Sequence, residues 1–125
     1  MAKLMAIDYG SKRVGVASTD ESGLFALPRM VLENNDELLE KIIKFKEEQN
    51  IEKIIIGESK NFEGESNFIQ TDIDRFKAEL EKYVEVVLHP EILTTREARQ
   101  LQGNTPMTDA SAAALILKNY IESGL

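Results

Sequence analysis

Cysteine is absent from this chain. Disulfide staples, thiolate metal sites and a cysteine nucleophile are therefore excluded, and a reducing, cytoplasmic setting is expected. No apolar run approaches the roughly 20 residues that span a bilayer. Near the N-terminus Asp8 interrupts the first apolar residues, and the basic start and apolar stretch of a signal peptide are missing. A soluble protein without a membrane partner is the expectation. Repeats, low-complexity tracts and Pro/Gly-rich linkers are lacking too, so residues 1–125 should pack as one domain. A basic excess is also missing: 15 Lys and Arg stand against 22 Asp and Glu, a net charge of -7. That balance argues against a broad phosphate-binding footprint. Nucleic acid would have to be met by local cations, or by an acidic cluster whose sign divalent ions reverse.

What is present alternates between two periods. Residues 4–8 are a short apolar run ending in an acid, and 14–18 follow a glycine-containing turn as an antiparallel partner. Residues 24–32 give a third strand, which Pro28 assigns to a sheet edge or a bend. Asn34, with Glu37 three residues later, reads as the N-terminal cap of a helix carrying Leu38, Leu39, Ile42, Ile43 and Phe45 and ending near Asn50. Residues 53–57 are a buried strand, and Ile69, Ile73, Phe76 and Leu80 mark a second helix. Residues 84–88 are a fifth strand. A short helix over 95–101, a turn over 103–106 and a last helix from Thr108 complete the chain. Three meandering strands followed by strand–helix alternation predict an α/β fold. Its mixed five-stranded sheet has three antiparallel strands, then crossovers, with helices on both faces, in the element order of the RNase H-like fold.

The segment from Ile7 to Ala17 carries the most chemistry. An aspartate that closes a buried strand must be paired, hydrogen-bonded or bound to a metal. Gly10 permits a tight turn and close approach by a ligand. On residues alone, Asp8 reads equally as a hairpin acid accepting turn hydrogen bonds. Glu91 reads as an exposed loop glutamate, and Asp109 as an acid favoured in a first helical turn by the helix dipole. Lys12, Arg13, Arg96 and Arg99 are either phosphate contacts or solvated charge. His89, the one histidine, lacks partners for a metal site or triad and is read as structural. Phe62 and Phe68 flank the loop after the fourth strand and could stack on bases, although Phe68 serves equally as the first core residue of helix two. Alanines 110 and 112–114 permit close helix packing, within the chain or across a homodimer.

Asp8-x-Gly10-x-x-Arg13-Val-Gly15-Val-Ala17 resembles the opening signature of the YqgF/RuvX family. Those nucleases are described as Holliday junction resolvases and are linked to maturation of the 5′ end of pre-16S ribosomal RNA. The resemblance runs along essentially the whole chain. Ile56-Gly57 with Asn61-x-x-Gly64 is similar to the family's strand-four loop, Glu91-x-Leu93-Thr94-Thr95 to its glutamate motif, and Asp109-x-x-Ala112-Ala113 to its C-terminal motif. It implies an RNase H-like fold, an acidic triad of Asp8, Glu91 and Asp109, and Mg²⁺ or Mn²⁺ as cofactor. Such hard cations take carboxylate oxygens and can drive phosphodiester hydrolysis. Two departures stand out: Pro90-Glu91-Ile92 replaces Asp-Glu-Arg, and Gly57-Glu58-Ser59 replaces Gly-Leu-Pro. Glu58 is thereby an additional acid beside the expected site.

The leading expectation is a metal-dependent endonuclease acting on pre-ribosomal RNA, with branched DNA as the alternative substrate and a monomer or homodimer as the acting form. A catalytically weak RNA- or ribosome-binding module of the same fold is a second reading. An ATP-handling domain of the sugar kinase and actin type is a third, ranked last because that architecture needs two such domains.

Overall fold

The computed structural model describes residues 3–10, 12–58, 68–90 and 108–123. Five strands, β1 (Leu4–Tyr9), β2 (Arg13–Thr19), β3 (Ala26–Glu33), β4 (Lys53–Glu58) and β5 (Glu85–Pro90), form one sheet in the order β3-β2-β1-β4-β5. β1, β2 and β3 pair antiparallel, whereas β4 lies parallel to both β1 and β5. Three helices are described, α1 (Leu38–Glu48), α2 (Phe68–Leu80) and α3 (Thr108–Glu122).

Strand alternation divides the core into two layers. Met5 and Ile7 of β1, Val14 and Val16 of β2, and Ile54 and Ile56 of β4 face one side, against Leu38 and Ile42 of α1 and Ile73, Phe76 and Leu80 of α2. Ala6 and Ile55 face the other side, against Ile116, Leu117 and Tyr120 of α3. Burial on both faces explains why β1 and β4 read as continuous apolar runs. Ala110, Ala112 and Ala113 are fully buried. Their small side chains let α3 lie close on the sheet.

β3 is an edge strand, as Pro28 requires, and its pairing with β2 shifts register between Val16 and Ala17. It begins at Ala26; Leu24 and Phe25 instead stand exposed beside a groove of about 600 Å³ between the start of β3 and α3. α1 begins later than expected. Its N-cap is Glu37, whose backbone N–H donates to Asn35 Oδ1 at 2.9 Å. Asn34 does not cap the helix: its side-chain amide donates to the Gly10 carbonyl and its backbone N–H to the Lys12 carbonyl. Asn50 ends the α1 connection with a φ of 56°, a left-handed conformation that asparagine tolerates. The short helix expected over 95–101 lies outside the described residues.

Candidate active site

Asp8 is the fifth residue of β1 and is 8% exposed. Alternation places it two residues beyond Ala6, on the face that α3 covers. Its antiparallel partner is Gly15. Directly opposed residues share a face and lie about 5 Å apart at Cα, so a side chain at position 15 would stand beside Asp8. Glycine leaves that space to α3: a Cβ on Gly15 would overlap the carbonyl of Asp109 and would meet the N of Ala110 at 2.7 Å. The first turn of α3 therefore occupies the room that a missing side chain provides. Asp8 and the backbone of Asp109, 101 positions apart in sequence, thus both adjoin Gly15.

Asp109 stands in the first turn of α3 with its side chain 19% exposed, and its Oδ2 receives Arg13 Nε at 3.1 Å. Arg13 is the first residue of β2. It stands two residues before Gly15 and so faces the same side of the sheet. Three contacts set the turn that delivers it. A Cβ on Gly10 would lie 2.5 Å from the Arg13 carbonyl oxygen, which makes glycine necessary there. The Asn34 side-chain amide donates to the Gly10 carbonyl at 2.7 Å, and the Asn34 backbone N–H donates to the Lys12 carbonyl at 2.9 Å. Asn34 is the residue the sequence did not reveal in this role. Its only local signal, an asparagine just after a strand, fits a helix cap equally well.

Gly57 pairs with His89 and Glu58 with Pro90 at the ends of β4 and β5, two strands from Gly15 on the far side of β1. His89 packs edge-on against Tyr120, with ring centroids 5.9 Å apart, which agrees with its structural reading. Lys12 is exposed next to Arg13. Asn61, Gly64, Glu91, Arg96 and Arg99, with Phe62, lie outside the described residues. Among the described residues no group of three acids or histidines stands close enough to enclose a metal ion. Two of the three expected acids are thus on one face of the sheet. Their donor chemistry, carboxylate oxygens without sulfur, fits a hard divalent cation.

The family model described as "RuvX: Holliday junction resolvase" matches residues 2–123. The chain belongs to the RuvX family. Its relatives include proteins named "Putative pre-16S rRNA nuclease" from Phocaeicola vulgatus, 29% identical with 98% of this chain and 97% of that protein covered, and from Desulforudis audaxviator, 31% identical with 97% and 94% covered. The solved structure of T. thermophilus RuvC in complex with Holliday junction substrate superposes with a TM-score of 0.61 over 99% of this chain and 97% of that one, at 14% identity. The fold is accordingly RNase H-like, as the element order predicted, and the nuclease class expected from sequence is the class this RuvX chain falls in.

Proposed function

We propose that this RuvX chain is a divalent-cation-dependent endonuclease that trims the 5′ end of pre-16S ribosomal RNA in the cytoplasm, as a single domain with one active site. The observation that supports it is the seating of α3 on Gly15, the strand partner of Asp8, with Asp109 in the seated turn. The relatives' names support the choice of substrate.

In this reading Asp8, Asp109 and Glu91 hold the cation, Mg²⁺ or Mn²⁺, which when bound supplies Lewis acidity and charge neutralisation at a phosphodiester. Asp8 is the fixed member, because a buried strand residue cannot relax away from its place. Asp109 lies on the helix turn that closes the site, and Glu91 follows directly on β5. Lys12 and Arg13 are the cations assigned to the phosphate, and Arg96 and Arg99, outside the described residues, are assigned to the nucleic-acid backbone from sequence alone. Glu58, the last residue of β4, is the additional acid of this reading. Asp8 is 8% exposed, and low water access would strengthen the hold of its carboxylate on a cation.

The test is cleavage of a pre-16S 5′ leader transcript and of a four-way DNA junction, each with Mg²⁺, Mn²⁺ or EDTA. The expected outcome is metal-dependent cutting of the transcript, reduced roughly a hundredfold or more in Asp8→Asn, because loss of a direct ligand should cost at least as much as loss of an outer partner. Cutting of the junction alone would move the substrate to branched DNA. Binding without cutting would reduce the chain to an RNA-binding module.

A further inference from the structure

The ion pair between Arg13 and Asp109 competes with a cation for the charge of one carboxylate. Asp109 Oδ2 accepts Arg13 Nε at 3.1 Å, and a carboxylate already partly neutralised by a guanidinium attracts a cation less strongly than a bare one. We propose that Arg13 is a cation-released latch: it neutralises Asp109 while the site is metal-free, and a divalent ion arriving at the acids displaces it toward the substrate phosphate. The proposal rests on the metal-site reading above and adds its regulation.

Three features support it. Two carboxylates held on one face repel each other unless a positive charge stands by, and Arg13 supplies that charge before any metal does. Its backbone is fixed, by the Gly10 turn and by the two hydrogen bonds from Asn34, while its side chain is 67% exposed. The guanidinium can therefore swing without disturbing β2. Glu33, directly opposite Arg13 on β3 with its side chain on the same face, offers the displaced guanidinium a counter-charge until a phosphate replaces it. An ion pair this exposed shifts an equilibrium by about fivefold at most. The latch thus biases cation entry without blocking it, and it couples cation binding to release of a phosphate-binding group.

The experiment is Mn²⁺ calorimetry on the wild type, Arg13→Ala, Lys12→Ala and Asp8→Asn, together with NMR of the Arg13 Nε–H group during Mg²⁺ titration. Lys12→Ala removes the same formal charge from the adjacent position and measures the through-space part. Arg13→Ala should bind Mn²⁺ about three- to fivefold tighter than wild type, and Lys12→Ala less than about twofold tighter. The Nε–H resonance should shift along the Mg²⁺ occupancy curve. In Asp109→Asn it should already lie, without metal, near the released position. Unchanged or weaker Mn²⁺ binding in Arg13→Ala, an effect no larger than that of Lys12→Ala, or a resonance insensitive to Mg²⁺ would each overturn the latch. Loss of Mn²⁺ binding in Asp8→Asn shows that the site itself stands in such a case. Wild-type affinity in Asp8→Asn would refute the site, and the latch with it.

Discussion

Gly15 matters to the proposed site because it decides how closely the first turn of α3 approaches the strand pair that carries Asp8. Adding one methyl group there forces α3 outward at Asp109. Gly15→Ala is expected to lower stability by about 1–3 kcal/mol, as overpacked sites do, and to weaken Mn²⁺ binding in the same variant. Urea denaturation and calorimetry on one preparation check both. Asn34→Ala removes the side-chain bond to Gly10 and should cost about 1 kcal/mol, read as a lower urea midpoint at unchanged slope. At this scale Asp8, Gly10, Gly15 and Asp109 were singled out through motifs that resemble the family's, and their positions relative to the hairpin and α3 came only with the fold. Arg13 was legible as a cation near the site but not as the partner of Asp109, since that pairing depends on contact between residues 96 positions apart. Asn34 was misread as a helix cap for a similar reason. A capping box and a turn brace place the same residue at the same point in the chain, and only the fold distinguishes them.

The elements were legible wherever burial on one or two faces imposed a period. β1, β4, α1 and α3 fall where the apolar pattern put them, and Pro28 placed β3 at the edge. Boundaries moved where local chemistry was neutral: β3 begins at Ala26, leaving Leu24 and Phe25 in the turn, and β5 extends to Pro90. The contact that ties β4 to α3 and β5 was not visible at all. Lys53 Nζ bonds Tyr120 Oη at 3.1 Å, lies 5.7 Å from the centre of that ring, and pairs with Glu85 at 3.2 Å. The Tyr120 hydrogen bond first, and Glu85 second, raise the Lys53 pKa above its ordinary value. A raised folded-state pKa gives stability that is fully present below the unfolded value, near 10.4, and lost as pH climbs through the folded value. Lys53→Met should therefore be less stable than wild type by about 1 kcal/mol at pH 8. The gap should close progressively above pH 10, as chemical denaturation of both proteins across that range will show.

For the whole molecule the controlling quantity is its net charge of -7. An acidic body repels a polyanion at long range. The RNA-processing reading therefore predicts weak binding of the leader transcript in EDTA, and binding roughly tenfold or more tighter in Ca²⁺, with the cation reversing the local sign. Filter binding at fixed ionic strength measures this. Equal binding in both conditions would remove the cation from recognition. Copy number separates the two substrates. Trimming one RNA strand needs one site, so the rate should be first order in protein. Symmetric cutting of a four-way junction needs two sites related by a twofold axis and would rise more steeply.

Whether Asp8 and Asp109 together hold a divalent cation is tested most directly by an anomalous difference map from a crystal soaked in Mn²⁺. The expected result is a peak bonded to carboxylate oxygens of both residues, at roughly the 2.0–2.6 Å of hard-cation coordination, with Arg13 withdrawn from Asp109. A fully soaked crystal with no peak there, or with its strongest peak on other acids, would contradict it.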